Sequence, residues 1–211
     1  MTDIALETFA SEYAHHRGRE GRGYVGEQLL QLPYLNKGPH ADQWAVRART
    51  FDAFMARVLR PHAARLGRPL DIVDLGAGNG WLSYRVALEG HHAIAIDIRN
   101  DAVDGLGAAE PFLRRAPRMK RIVAPFEAVP LPAASADIVL FNASIHYATN
   151  LSAVLSEAHR LTCPGGQIAI LDSPFYAHET DGLAMVAEKL QRFGSAADAL
   201  MEMDGRKWRK L

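Results

Sequence analysis

Apolar residues in this chain gather into short branched runs separated by stretches of helical period. Leu70 to Leu75 is the first run, and its lack of polar alternation predicts a strand buried on both faces. Further strands are predicted at His92 to Ile96, Arg121 to Ala124, Asp137 to Phe141 and Gln167 to Asp172. Between them the spacing turns helical. Leu82, Val86 and Ala87 mark one face of a helix stopped at Gly90, and a second helix is expected around Asp101 to Ala109. Leu151, Val154, Leu155, Ala158 and Leu161 form a stripe behind an Asn150 N-cap, and Thr162-Cys-Pro-Gly-Gly166 stops that helix. Strands alternating with helices predict βαβ units and a parallel sheet.

The flanks differ in texture. Ile4, Phe9 and Tyr13 predict a short amphipathic helix, and the stretch from Arg17 to Gly23 reads as a mobile basic loop. Trp44, Ala48, Phe51, Met55 and Val58 lie on one face of a longer helix, from about Ala41 to Arg60, which Pro61 should end. Downstream, Leu183, Val186, Leu190 and Phe193 space a helix ended by Gly194. Ser195 to Leu211 contains no Val, Ile, Thr, Phe or Tyr, so it predicts a short helix near Ala196 to Met203 and no strand.

The candidate chemistry starts at the first strand's end, where Gly76, Gly78 and Gly80 follow Asp74 at alternate positions. Such a loop lets a ligand approach main-chain atoms that a Cβ would shield. The dinucleotide fingerprint G-x-G-x-x-G does not fit. The third glycine comes one position early, and Trp81 stands where that fingerprint has glycine. Asp74 would also aim a carboxylate at the pyrophosphate, a conflict that a cationic ligand removes. A second acid, Asp97, follows the second strand, placed to accept two ribose hydroxyls.

The pattern D-x-G-x-G-x-G from Asp74 to Gly80 resembles motif I of the class I S-adenosylmethionine-dependent methyltransferases. The Pro-Gly-Gly turn before an apolar strand is a further landmark, so the resemblance covers about Leu70 to Asp172. It implies S-adenosyl-L-methionine as cofactor, held by Asp74, Gly76, Ala77, Gly78, Asp97, Ile98, Phe126, Asn142 and Tyr34. Relatives often carry an acid for the adenine amino group where this chain has Pro125; Phe126 still offers its amide and ring. Tyr24 and Trp44 join Tyr34 as residues that either cover the cofactor or simply pack the core. At the end of the fourth strand, Asn142, Ser144, His146 and Tyr147 fall beside the switch point of the sheet, near the expected methyl group. His146 is the candidate catalytic base, with a packed histidine as the competing reading.

The resemblance implies a Rossmann-like three-layer α/β/α sandwich whose mostly parallel sheet has the order 3-2-1-4-5. A helical N-terminal cap would span 1-62 and the methyltransferase core 63-211, one domain overall. The family's closing strands six and seven find no sequence here. Its fifth strand, with the apolar core Ile168 to Leu171, would then form an exposed edge, for which a homodimer is the expected cover.

Composition narrows the acceptor. With 24 basic and 24 acidic residues the net charge is zero, which disfavours nucleic acid. Asn142 is followed by Ala-Ser rather than the Pro-Pro of amide and base methylation, and Cys163, expected to be buried and inert, lies away from where a cytosine-C5 nucleophile belongs. His91 and His92 point to opposite faces, so no metal is expected. No apolar run approaches the roughly twenty residues of a membrane span. One cysteine and an N-terminus without a basic leader suggest a cytoplasmic setting. A small-molecule acceptor at oxygen or nitrogen is the expectation. The alternatives are an S-adenosylmethionine-binding protein without catalysis and, third, an NAD-binding oxidoreductase.

Overall fold

In the computed structural model, residues 11, 13, 15, 17–19, 21 and 23–193 are described. The expectations placed on Ile4, Phe9 and the stretch from Gly194 to Leu211 lie outside them. After a helical stretch at the described positions from 11 to 19 come α1 (Gly26–Gln31), α2 (Ala41–Phe54), a π-turn (Met55–Leu59) and α3 (Arg60–Leu66). The alternating part is β1 (Asp71–Leu75), α4 (Trp81–Leu88), β2 (His92–Asp97), α5 (Glu110–Leu113), β3 (Met119–Val123), β4 (Ala136–Asn142), α6 (Leu151–Leu161), β5 (Thr162–Leu171) and α7 (Glu179–Phe193). Short 3₁₀ turns stand at Leu106–Ala109 and Ile145–Tyr147.

The strands form one five-stranded parallel sheet in the order β3-β2-β1-β4-β5. Successive side chains on a strand point to opposite faces, and the two cores follow that alternation. Ile72, Ala93, Ala95, Ile138 and Leu140 pack on one face with α4, Phe112 and, from the N-terminal segment, Leu32, Phe51, Phe54 and Leu59. Val73, Leu75, Ile96, Val139 and Phe141 pack on the other with Val154, Ala158 and Leu161 of α6. This is the expected three-layer arrangement. The first strands are pinned at their entry by Asp137, which accepts two bonds from the Arg68 guanidinium at 2.8 Å each and one from the Asp71 amide at 2.9 Å.

Several boundaries differ from the sequence reading. Pro61 does not end the long helix; the chain stays helical to Leu66. Proline lacks an amide hydrogen and clashes with the carbonyl one turn back, and the wider π-turn just before it makes room for both. Arg17 to Arg19 are helical rather than loop. The segment expected as a helix over Asp101 to Ala109 is a turn closed by the Asp101 carboxylate, which accepts the amides of Val103 and Asp104 at 3.0 Å, followed by the 3₁₀ turn. Thr162 to Gly166 joins β5 through an irregular register instead of stopping α6 as a separate turn. Cys163 is half-buried, its thiol donating to the Ala134 carbonyl at 2.9 Å, and burial pushes its pKa up.

Among the described residues β5 pairs with β4 alone and stands at the margin of the sheet. No helix among them is long and apolar enough to cross a bilayer. No group of three or more His, Cys, Asp or Glu among them could hold a metal ion. His91 instead accepts the Leu70 amide on Nδ1 at 3.1 Å.

Candidate active site

A cavity of about 300 Å³ opens where β1, β2, β4 and β5 end at their carboxyl edge, the place where open α/β sheets bind ligands. Its floor is the glycine loop. The amides of Gly76 and Ala77 both donate to the Ile96 carbonyl, at 2.8 and 2.9 Å, which ties the loop across to β2. Gly76 has φ +73, and a Cβ there would lie 2.4 Å from the Ser144 Cβ and 3.0 Å from the Phe126 ring. Only glycine fits. Ser144 in turn donates from Oγ to the Leu75 carbonyl at 2.6 Å.

Asp97 closes one side. Its Oδ2 accepts the Gly78 amide and its Oδ1 the Arg99 amide, each at 2.8 Å. Burial pushes its pKa up while those amides pull it down. Ile98 and Phe126 add apolar wall beside it. The end of β4 brings Asn142, Ser144, His146 and Tyr147 onto the opposite side. His146 Nδ1 lies 3.3 Å from Ser173 Oγ, and its ring centroid is 4.2 Å from that of Tyr147.

The N-terminal segment supplies the remaining wall. The Tyr13 and Tyr147 hydroxyls are 3.1 Å apart, with the rings edge to face. Arg17 Nε donates to Asp104 Oδ2 at 2.7 Å, and Asn79 Nδ2 donates to Oδ1 of the same carboxylate at 3.1 Å. Asp104 thus joins the first described helical stretch to the glycine loop. Trp44 lines the cavity while its Nε1 donates to the Tyr24 hydroxyl behind it at 2.6 Å.

Of the expected cofactor contacts, Gly76, Ala77, Gly78, Asp97, Ile98, Phe126 and Asn142 line this cavity, as does His146. Two do not. Tyr34 is 48% exposed, donates to Asp52 Oδ1 at 2.7 Å, and rests on Phe51 at the outer side of α2. Asp74 is buried beneath the loop, where Ser83 Oγ donates to its Oδ2 at 2.9 Å and its Oδ1 has no hydrogen-bond partner among the described residues. Burial pushes its pKa up to about 7, with Asp97 adding to the shift against the Ser83 bond. Sequence reasoning missed Tyr13, Arg17, Asp104 and Asp172 as wall residues. Only Asp172, at a strand's carboxyl end, carried a positional signal.

A protein-family model described as "Methyltransferase domain" matches residues 73–170, the interval from β1 to β5 that builds the glycine loop and most of the cavity. Residues 73–170 thus match a methyltransferase domain, in line with the resemblance of Asp74 to Gly80 to motif I of the class I S-adenosylmethionine-dependent enzymes. The chain is 30% identical over 139 residues to a malonyl-[acyl-carrier protein] O-methyltransferase of Erwinia pyrifoliae, covering 64% of this chain and 47% of that protein. It is 29% identical over 127 residues to the ubiquinone/menaquinone biosynthesis C-methyltransferase UbiE of Methylobacterium nodulans, covering 59% and 49%. The chain spans about half the length of these curated relatives. Among solved structures, a protein from Pyrococcus horikoshii superposes with a TM-score of 0.54 at 17% identity, covering 78% of this chain and 72% of that one. The MccD protein gives 0.54 at 20%, covering 74% and 64%. At those identities the likeness speaks to the fold.

Proposed function

We propose that the cavity binds S-adenosyl-L-methionine and that the domain transfers its methyl group to an oxygen or nitrogen of a small-molecule acceptor. The observation that carries this reading is the convergence of Gly76, Asp97 and His146 on one cavity at the sheet's carboxyl edge. The residues suit the cofactor. The loop presents backbone where Gly76 leaves no space for a side chain. Asp97 keeps lone pairs for ribose hydroxyls after taking its two amides, and Ile98 and Phe126 offer apolar surface to a purine.

When bound, the cofactor supplies a methyl carbon on a positively charged sulfur that departs as a neutral thioether. The chain's part is to hold that carbon in line with the acceptor atom and to keep water out, which accounts for much of the rate in a displacement of this kind. His146 takes the acceptor's proton if the attacking oxygen or nitrogen must lose one, with Ser173 at 3.3 Å fixing the ring. Segment 1-62 serves as cover, through Trp44 and, with its hydroxyl against Tyr147, Tyr13. The edge of β5, where Ile168 is 38% exposed, pairs with a second copy in a homodimer that light scattering would detect.

Calorimetry with S-adenosylmethionine and, separately, NAD tests the cofactor: binding of NAD in preference would overturn the reading. Transfer of labelled methyl from S-adenosylmethionine into a metabolite extract tests the reaction. Cofactor binding without any labelled product would support a binding protein without catalysis.

A further inference from the structure

Resting on the acceptor reading above, we propose that Asp172 is the anchor for the acceptor. Its carboxylate takes a hydrogen bond from an N–H or O–H on that molecule, so the cavity selects amine or hydroxyl acceptors and rejects carboxylates.

Asp172 Oδ2 is a buried carboxylate oxygen without a hydrogen-bond partner among the described residues, and the residue lines the cavity. A buried acceptor left unpaired costs roughly 1–3 kcal/mol, so its retention in a residue that lines the cavity calls for a donor that arrives with the ligand. The other acids on that wall are engaged. Asp97 accepts two backbone amides, and Asp104 accepts from Arg17 and Asn79. Asp172 is the acid with an oxygen to spare.

Its backbone points the same way. Asp172 has φ +51, in the left-handed region that side chains other than glycine, asparagine and aspartate avoid. Ala143, at the end of the neighbouring β4, has φ +53, and its amide donates to the Leu171 carbonyl at 2.8 Å. Both residues line the cavity. Ala143, which lacks the tolerance of aspartate for this region, is held in an unfavourable conformation beside Asp172 at the cavity rim, and such strain clusters at functional sites. The next residue, Ser173, contacts His146. A donor group bound to Asp172 would therefore sit on the same side as the proposed base.

The test uses the full chain with benzylamine, benzyl alcohol and benzoate as probes, titrated by ligand-observed NMR with and without saturating S-adenosylhomocysteine. Benzylamine is expected to bind about tenfold more tightly than benzoate, a difference of about 1.4 kcal/mol, with benzyl alcohol between them. Asp172→Asn should erase that preference. Asp172→Gly should erase it too while leaving the protein at least as stable to denaturant, because glycine relieves the positive φ. Benzoate binding as well as benzylamine, or a preference that survives both substitutions, overturns the proposal. A loss of S-adenosylhomocysteine affinity of about tenfold in either variant also overturns it, by assigning the carboxylate to the cofactor. Failure of the wild-type chain to bind S-adenosylhomocysteine would instead count against the cofactor reading, and the probe preference measured without it would still decide the role of Asp172.

Discussion

The carboxylate of Asp97 and the amide of Gly78 meet at 2.8 Å, joining the end of β2 to the glycine loop after β1. One side chain thereby shapes the loop and faces the cavity. Asp97→Ala is expected to weaken S-adenosylmethionine by roughly 1.5–3 kcal/mol, the range for hydrogen bonds to a charged group. Because the Gly78 and Arg99 amides lose their acceptor as well, denaturant stability should fall alongside. Calorimetry and urea unfolding read the two effects separately, and unchanged affinity in a folded variant would remove the ribose assignment.

Gly76→Ala forces a methyl group to within 2.4 Å of the Ser144 Cβ at a residue with φ +73. Overpacking of this kind costs roughly 1–3 kcal/mol, and the left-handed backbone adds about 1. Gly90→Ala is the control, since φ is +93 there but nothing lies within 4 Å of the new carbon. Guanidinium unfolding should find the first variant clearly less stable than the second. Equal losses would mean that Ser144 and the loop yield freely.

Asp74 makes stability depend on pH. Its folded pKa of about 7 lies above its ordinary 3.8, chiefly through burial, so the folded state holds a proton that the unfolded state has released between those values. Stability is therefore greatest below about pH 4 with respect to this group and falls as pH rises toward 7, by on the order of 4 kcal/mol over a shift of this size. Asp97, also raised by burial, adds in the same direction. Asp74→Asn should flatten the profile, and an unaltered slope in urea melts across this range would contradict the assignment.

His146→Ala is expected to lower turnover on an acceptor that must lose a proton while leaving cofactor affinity nearly intact, because it acts after binding. Single-turnover rates beside calorimetry separate the two. Loss of cofactor binding with no separate rate effect would make His146 a packing residue beside Tyr147.

The parallel sheet and its glycine loop were legible because the central strands β1, β2 and β4 are buried on both faces and the loop's residues are consecutive. Local sequence also located Asp97, since a strand's end is easy to place. Contacts made across the chain were not legible. Arg17 sits among glycines and arginines that read as solvated loop, yet it is helical and bonded to Asp104, a partner that no spacing rule connects to it. Tyr34 looked suited to cover a ligand, but the direction of its ring depends on how α1 and α2 pack, and Asp52 takes its hydroxyl instead. The continuation of the long helix past Pro61 was hidden for a related reason. Hydrophobic spacing reports a helix's face, whereas a single π-turn changes only how the backbone accommodates a missing donor.

That π-turn also sets a rotational phase. Each residue of an α-helix advances the azimuth by about 100°, and a turn holding one residue more offsets everything before it by that angle relative to everything after. His62 is buried beyond it, while Trp44 and Arg47, both on the cavity wall, lie before it. Deleting one residue from Met55–Leu59 would leave a chain still able to form a continuous helix, but Trp44 and Arg47 would swing away from the glycine loop. The five residues of the turn contribute no atom to the cavity wall, yet they decide which side chains face it.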